Sequence, residues 1–493
     1  MAGDAGPGPA RAALLHRAAV LLLLTTGFAA GAGDAVSLGP CGPVGRLYSS
    51  VEVPAGRLRR LGGTPLVRVG LVVFDAGPAA RPIPFQIDER RGRKLALPDG
   101  PEPTADDQPG MLDADDLIVF MACDAGRQRS PAEVDRAVAA FGPVTAWREI
   151  RIDDPVGRAT AFAYLVVAAD PPRTERRYVT YDADVDLVRT AAYRVGLIDA
   201  LPVYLALSLG RPPGANLIDG LRLRAEATLR GNLARWTFDE RQGRHQLVAW
   251  KAGPVRVIRR SRHRVAIGLG IHLTAGTAHT FFYPRHVFTP GSLRLPFSPS
   301  VFFRDISAFA GADGRELEGW RYLAPGVQPP GFLVDGHMDD AERGFAGRGD
   351  WFVLTHGDEA LLFVTRMGPN LRDALRLRLV YRDDADTPAP PEASPGTVPL
   401  VGYEGRGVER LPGGKYEFDL SIFGLAGYHP GDPKRVRTEL LTSLTADLTA
   451  EGPEAARRPT RDSVSGRNRT RGCGVRWKKP TACRGRQSRR GKL

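Results

Sequence analysis

Short apolar runs bounded by glycine, proline and aspartate constrain the fold more than any other feature of this sequence. The runs at 66–74, 81–88 and 117–121 have the length of β-strands, and others alternate apolar with polar residues. The 57 glycines and 41 prolines follow no three-residue period, which excludes collagen, and their number argues against long helical bundles. The sequence therefore predicts a mainly β protein with few short helices.

The strand-like runs lengthen along the chain, and this change predicts two domains. We predict an N-terminal antiparallel β-sandwich over 33–175 and a larger β-sandwich over 176–450, whose longer strands each bury one face. In the first domain, residues 130–141 begin with a capping sequence and predict a helix. In the second domain, the runs 351–355 and 360–365 on either side of a glycine-containing turn predict a hairpin. The domain also contains a proline-rich loop at 387–399, and the apolar spacing over 432–448 predicts that it ends in a helix.

The two ends of the chain differ in composition from the rest. Residues 1–32 place arginines before a short apolar run and small residues after it, the order of a secretory signal peptide. No later run reaches the roughly 20 apolar residues of a transmembrane helix. Residues 451–493 carry a net charge of +11 and few apolar residues, so we predict a basic disordered tail. Because the residues before it carry only +2, we expect no nucleic-acid binding by the folded part.

The signal peptide predicts a periplasmic or secreted protein. The sequence contains 61 arginines beside 7 lysines, a ratio typical of GC-rich genomes, which favours a bacterial source. Four cysteines are compatible with an oxidising compartment but too few to be the main stabilising element of a chain this long. Cys41 and Cys123 both flank predicted strands of the first domain. They form a disulfide or, alternatively, Cys123 is a buried free thiol.

Four acidic residues of the first domain form a candidate metal site. Asp88 ends one predicted strand, and Asp113, Asp115 and Asp116 precede another. Carboxylate oxygens are the ligands that calcium prefers, so these residues would hold a calcium ion at the edge of a sheet. The alternative is that the carboxylates cap turns and pair with neighbouring arginines. The spacing lacks the glycine and the distal glutamate of an EF-hand loop.

A histidine lies among carboxylates in a glycine-containing segment of the second domain. Asp335, His337 and Asp339 occur within six residues. This composition suits an acid/base pair or a metal site, because a nearby carboxylate raises the pKa of a histidine and orients its ring. The same residues also form ordinary turns in which an aspartate side chain accepts a backbone hydrogen bond.

A basic strand pair in the second domain is flanked by tryptophans. Arg256 and Arg259 lie in the run 253–264, and Trp250 precedes it. A guanidinium group binds a carboxylate through two hydrogen bonds, and an aromatic ring covers the face of a sugar, so these three residues are candidates for binding an acidic sugar. The alternative is a solvated face of a strand.

Three segments of the chain occur together in a known group of proteins. They read Pro-Ile-Pro-Phe-Gln-Ile-Asp at 82–88, Asp-Ala-Asp-Asp-Leu-Ile-Val-Phe-Met-Ala at 113–122 and Ala-Gly-Pro-Val-Arg at 252–256. In this order they resemble secreted bacterial proteins in which an N-terminal sandwich precedes a galactose-mutarotase-like supersandwich. Some proteins of that group are polysaccharide lyases or hydrolases. The resemblance implies the two-domain β architecture, and it carries over no catalytic residue to this chain.

Three functional interpretations follow. In the first, the protein binds carbohydrate or another component of the cell envelope. In the second, it is a carbohydrate-active enzyme, a polysaccharide lyase or hydrolase, in which Asp335, His337 and Asp339 act. In the third, it is a structural envelope protein without catalysis. The sequence leaves open whether the protein is an enzyme, and fold alone does not decide.

Overall fold

The structure is a computed structural model that describes residues 35–58, 60–198, 200–208, 214–232, 234–268, 271–385 and 399–452. The predicted signal peptide lies outside the described residues. So do residues 387–398 of the proline-rich loop, and the basic tail from residue 453 onward with its two cysteines.

The fold is mainly β, as predicted, and every strand pairing among the described residues is antiparallel. The first eleven strands are β1 Ser50–Pro54, β2 Thr64–Pro65, β3 Val69–Phe74, β4 Ala80–Pro82, β5 Phe85–Asp88, β6 Arg90–Arg91, β7 Lys94–Leu95, β8 Met111–Leu112, β9 Leu117–Met121, β10 Val144–Asp154 and β11 Ala159–Ala168. The next ten are β12 Val179–Asp182, β13 Leu187–Thr190, β14 Tyr193–Ile198, β15 Leu201–Leu207, β16 Ile218–Leu229, β17 Arg235–Phe238, β18 Gly243–Ala252, β19 Val257–Gly268, β20 Ile271–Phe282 and β21 His286–Leu295.

The remaining strands are β22 Phe303–Gly314, β23 Arg321–Leu323, β24 Phe332–Leu333, β25 Trp351–His356, β26 Glu359–Met367, β27 Arg376–Arg382, β28 Leu400–Arg406, β29 Gly414–Ala426 and β30 Thr445–Glu451. Short α-helices connect them, and the described ones are α1 Pro131–Val138, α2 Asp340–Arg343, α3 Pro369–Ala374 and α4 Asp432–Leu441. None of the described helices is long and apolar enough to cross a membrane.

Two sheets near the N-terminus pack face to face. One has the order β1-β9-β5 and the other β30-β10-β11-β3-β4. Alternate residues of these strands form a shared core, which includes Val53, Leu71, Phe120, Ile150 and Leu165. Because side chains alternate across a strand, β3, β10 and β11 also bury their other face, under α1. The capping box of Ser130 and Glu133 begins α1 where the sequence predicts a helix.

Three further sheets of four or more strands form most of the rest of the fold. A nine-stranded sheet has the order β18-β19-β20-β21-β29-β26-β25-β23-β24, a five-stranded sheet β17-β16-β22-β28-β27 and a four-stranded sheet β12-β13-β14-β15. Their apolar faces meet in the largest core, which also contains Val119 and Met121 of β9. This core therefore connects the N-terminal sandwich to the large sheets. The predicted hairpin of β25 and β26 is confirmed, with Gly357 in the left-handed conformation of its tight turn.

The C-terminal end of the described chain differs from the prediction. The helix predicted over 432–448 ends at Leu441, and residues Thr445–Glu451 form β30, which pairs with β10 of the first sheet. The alternating sequence Thr-Ala-Asp-Leu-Thr-Ala-Glu suits an edge strand. Ala446 and Leu448 pack on the N-terminal core, whereas the polar residues that alternate with them along the strand are exposed. The domain boundary predicted near residue 175 stays a prediction. β30 belongs by sequence to the predicted second domain, but it pairs with β10 of the predicted first domain.

A disulfide joins Cys41 to Cys123, so the structure adopts the first of the two alternatives for these cysteines. The bond fixes the segment before β1 against the end of β9. Gly42 lies so close to the backbone of Ala125 that a Cβ atom there would come within 1.9 Å of the Ala125 carbonyl oxygen. Any residue with a side chain at position 42 would push this segment away from β9.

Candidate functional site

Arg256 is buried in a network of charged groups between the N-terminal sandwich and the nine-stranded sheet, and the network reaches the surface at Glu52. Its Nε and Nη2 donate to Oδ2 of Asp88 at 2.9 and 2.5 Å. Its Nη1 donates to Glu52 and to the hydroxyl oxygen of Tyr283. Gln86 completes what we call the Arg256 network, since it donates to Oδ1 of Asp88 at 2.7 Å and accepts from the backbone N–H of Arg256 at 2.9 Å.

This network explains why two of the three segments behind the family resemblance occur together. Gln86 and Asp88 lie at the end of the segment 82–88, and Arg256 ends the segment 252–256. The hydrogen bond of Arg256 to Gln86 and its ion pair with Asp88 join the two segments at one buried contact. Gly253 allows the close approach, because a Cβ there would lie 2.0 Å from Oε1 of Gln86. We therefore assign these segments a structural role in joining the two parts of the fold.

The charges within the Arg256 network are balanced. Burial alone would raise the pKa of Asp88, but Arg256 and Lys251 outweigh that effect and hold it below its ordinary range. The Lys251 Nζ lies 3.5 Å from Oδ1 of Asp88. Both oxygens of this carboxylate therefore face protein cations or donors, which opposes the predicted calcium role of Asp88. The same contacts occupy Arg256, which the sequence placed among the sugar-binding residues.

Arg259 and Trp250 lie together in a second cluster, which reaches the surface. They are register partners on β19 and β18. Tyr181 of β12 contacts both, with its ring 5.8 Å from the Trp250 ring and 5.8 Å from the guanidinium carbon of Arg259. Asp186 accepts from the Tyr181 hydroxyl at 2.7 Å and from Nη2 of Arg259 at 2.5 Å. We call these four residues the Tyr181 cluster.

The Tyr181 cluster is partly open to solvent. Trp250, Tyr181 and Asp186 are half-buried, whereas the Arg259 side chain is buried beneath them. Burial raises the pKa of Asp186, and the attraction of Arg259 opposes part of that rise. Gly100 packs against the Trp250 ring, and a Cβ there would lie 3.0 Å from it. The cluster thus presents aromatic edges, one carboxylate and one guanidinium in a fixed arrangement.

The sequence identified Trp250 and Arg259 but missed Tyr181 and Asp186. Tyr181 belongs to a short strand, and Asp186 adopts a left-handed backbone conformation with φ 50° in the turn between β12 and β13. Aspartate tolerates this conformation better than most residues. The run 182–186, with three aspartates in five residues, was the available signal for a turn, but it did not indicate which strand the turn would touch.

Asp335, His337 and Asp339 lie in an exposed segment that is held by backbone contacts. Oδ1 of Asp335 accepts from the N–H of His337 at 3.0 Å, which is the turn predicted as the alternative for this segment. Asp339 begins α2 and forms a capping box with Glu342. Asp383 fixes the segment from below by accepting from the N–H groups of Asp335 and Gly336. Their predicted catalytic role stays a prediction.

A pair of buried carboxylates lies beneath that segment. The Tyr381 hydroxyl is 3.4 Å from Glu342 and 3.5 Å from Asp383. Burial raises the pKa of both carboxyl groups, and Asp339 and Asp335 add to the rise by repulsion. Sequence reasoning missed these residues because Asp383 lies 48 positions beyond Asp335, the first residue that it supports. Their hydrogen bonds hold the backbone of the segment 335–339 and do not line an open cleft.

The remaining metal candidates use their carboxylate oxygens in different ways. Asp116 is buried and accepts from the N–H groups of Arg90 and Asp113, and burial raises its pKa to about 6. Asp115 accepts from the N–H of Gly92 at 2.8 Å. These contacts are the turn-capping alternative for both residues. Asp113 adjoins both residues, because its Oδ1 accepts from the N–H of Asp115 at 2.8 Å, and one of its oxygens comes within 4.8 Å of oxygens of Asp106 and Asp107.

Within the described residues, Asp106, Asp107 and Asp113 are the group whose geometry suits a cation. Asp106 is buried, and its Oδ1 has no hydrogen-bond partner there. The sequence pointed to Asp113 only, although the pair Asp106-Asp107, one residue before Pro109-Gly110, was a signal for a turn lined by carboxylates. Calcium binding by Asp113 stays a prediction.

Comparisons with known proteins identify no family. No protein-family model and no curated protein matches the chain. An alpha-mannosidase from Enterococcus faecalis V583 matches 83% of this chain at 8% identity with a TM-score of 0.41. A protein in the glycosyl hydrolase family 38 from Enterococcus faecalis matches 83% at 9% identity with a TM-score of 0.40. This chain spans 45% and 46% of those chains. Such a likeness assigns no activity, and the galactose-mutarotase-like resemblance stays a prediction.

Proposed function

We propose that the protein binds carbohydrate at the Tyr181 cluster. The observation that carries this proposal is the meeting of Trp250, Tyr181, Asp186 and Arg259, from three strands and a turn, at a partly exposed site. Ligand sites combine apolar and aromatic walls with a few fixed polar groups, and this cluster has both.

The contacts of Arg259 favour a neutral sugar over the acidic sugar expected from the sequence. Asp186 already neutralises the guanidinium, so an incoming carboxylate would meet a second carboxylate at the same place. A sugar hydroxyl would instead donate to Asp186 while an aromatic ring covers its apolar face. We therefore propose a ligand with neutral pyranose units.

A glycan array that contains neutral and uronic-acid polysaccharides tests this proposal, with each hit followed by titration of tryptophan fluorescence and by analysis for products. We expect binding to neutral glycans, and we expect Trp250→Ala to weaken it at least tenfold. Trp236→Ala is the matched control, because Trp236 is also half-buried in a β-strand but stacks on Phe238 in another sheet. Equal losses in both variants would contradict the proposed site.

The same experiment distinguishes the other interpretations. Turnover of a bound glycan that His337→Ala abolishes would establish the enzyme alternative. Binding without turnover would support a binding protein. Binding to none of the glycans on the array would favour a structural envelope protein.

We also propose a periplasmic or secreted location. The charge and apolar pattern of residues 1–32 supports it. Expression of the whole chain in a Gram-negative host followed by fractionation is the test. Recovery of an uncleaved chain from the cytoplasm would contradict the proposal.

A further inference from the structure

Three of the large apolar side chains that the described residues leave exposed lie within six positions of one another. Phe297, Val301 and Phe302 expose 51, 56 and 52% of their surface. They occupy the connection from β21 to β22, where residues Pro299–Val301 form a single helical turn. The rings of Phe297 and Phe302 meet edge to face with their centroids 5.6 Å apart. We call this connection the phenylalanine tip.

The tip is held in place by its neighbours. The backbone N–H of Phe302 donates to Pro299, and its carbonyl accepts from Arg230 at 2.9 Å. Ser298 donates to the carbonyl of Glu409 at 3.2 Å. The phenylalanines are therefore held out into solvent on an ordered connection, although water around exposed aromatic surface costs free energy.

A groove with two cations adjoins the tip. It has a volume of about 490 Å³ and is lined by Arg294, Leu295, Pro296, Gly414 and Lys415. Arg294 and Lys415 lie directly opposite each other on β21 and β29. Like charges in such a pair repel, and of the two only Lys415 has a carboxylate partner among the described residues, Glu417 at 2.7 Å. An anion between them would relieve the repulsion.

We propose that the phenylalanine tip docks on an anionic lipid bilayer. The exposed rings would enter the interface between headgroups and acyl chains, while a lipid phosphate would occupy the groove between Arg294 and Lys415. Phenylalanine side chains of membrane-bound helices bury in that interface, and basic residues are attracted to anionic membranes. The opposed cations and the adjoining apolar surface together match the two halves of a phospholipid. This proposal is independent of the carbohydrate site.

The test must separate the tip from the basic tail. Residues 451–493 have a net charge of +11 and would themselves attract anionic vesicles, so capture by vesicles is insufficient. The full chain with Phe297→Trp is therefore mixed with vesicles of phosphatidylcholine and phosphatidylglycerol whose acyl chains are brominated. Bromine quenches a tryptophan only when the ring enters the bilayer. Val67→Trp is the matched control, because Val67 is 71% exposed but lies in the N-terminal sandwich.

We expect more quenching in Phe297→Trp than in the wild type and no such increase in Val67→Trp, because the native tryptophans, Trp477 of the tail included, are common to all three proteins. The increase should fall at least fivefold in vesicles of phosphatidylcholine alone. Arg294→Glu should lower it in the same way without lowering the unfolding midpoint, because a glutamate opposite Lys415 replaces a repulsion by an attraction. Absence of quenching at position 297 overturns the proposal. So does a dimer in sedimentation that Phe302→Ser dissociates, because a second copy of the chain would then cover the tip.

Discussion

Arg256 and Arg259 stand three positions apart at the start of β19, and their surroundings differ. Side chains alternate along an extended chain, so the two residues project to opposite sides. The main partner of Arg256 is Asp88, whose side chain is fully buried, although Nη1 of Arg256 also donates to Glu52, whose side chain is 41% exposed. Arg259 contacts Asp186, whose carboxylate is 21% exposed. The availability of a guanidinium for a ligand therefore depends on what covers its side of the sheet, and a basic run does not reveal that.

The largest expected effect comes from removing Arg256. Arg256→Met leaves the Asp88 carboxylate buried without its main cation, and loss of one partner of a buried pair costs about 3–5 kcal/mol. We expect that decrease in the free energy of unfolding, measured in urea. The double variant Arg256→Met with Asp88→Leu should recover much of the loss, because it removes the fully buried carboxylate as well, and the remaining charges, Lys251 and Glu52, are partly exposed. A single variant as stable as the wild type would refute the structural role of the network.

A smaller effect is expected at Arg259. Arg259→Met leaves Asp186 able to regain water, so the cost should be about 1–3 kcal/mol. The same variant should lose carbohydrate binding, which Arg256→Met should retain at temperatures where it is folded. Titration of both variants with the same glycan measures this contrast. Equal losses of stability in the two variants would contradict this contrast between the arginines. So would carbohydrate binding by Arg259→Met.

A fall in pH should lower the stability of the region around Arg256, because it favours protonation of His286. This histidine is buried between the rings of Tyr283 and Phe423, with centroids 4.4 and 5.2 Å away. Burial and the nearby Arg256 lower its pKa to about 3. The folded state thus excludes a proton that the unfolded chain binds below about pH 6.5. Stability from this group is complete above pH 6.5 and is lost as the pH falls towards 3, by about 1.4 kcal/mol per unit.

The measurement is the free energy of unfolding of the wild type and of His286→Phe between pH 4.5 and 7.5. Asp124 contributes with the opposite sign, because burial raises its pKa to about 6 and its contribution is lost as the pH rises through that value. Only the difference between the two proteins therefore reports on His286. We expect this difference to shift in favour of the variant as the pH falls. A constant difference would show that His286 is not shielded from protons.

Local pattern and long-range contact explain which expectations are confirmed. Alternating runs and turn residues predict the β class, α1 and the hairpin of β25 and β26, since each depends on neighbours in sequence. Asp88 lies 168 positions from Arg256, and Asp186 lies 73 positions from Arg259. Alternation assigns each side chain to a face of its strand but carries no information about the element that covers that face. The pairings of these acids therefore had no local signal.

The smallest expected effect extends the comparison to two acids that the sequence placed in one calcium site. Asp88 is enclosed by Arg256 and Lys251, whereas Asp113 lies beside Asp106 and Asp107. Protein cations already balance Asp88, so a calcium ion would gain nothing there. Repulsion among the three other carboxylates would fall on binding. Calcium at about ten times its dissociation constant should stabilise the protein by about 1.4 kcal/mol.

Thermal unfolding with calcium and with EDTA measures this effect. Asp113→Asn should remove the calcium response, and Asp88→Asn should retain it while lowering the midpoint in both conditions. Magnesium is the control ion, because it demands tighter octahedral geometry and surrenders its water reluctantly. A response that survives Asp113→Asn would place the ion elsewhere, and a midpoint that does not change with calcium would show that the three carboxylates bind no calcium ion. In the latter case the same Asp113→Asn variant should raise stability at neutral pH, because it removes one of the repelling charges.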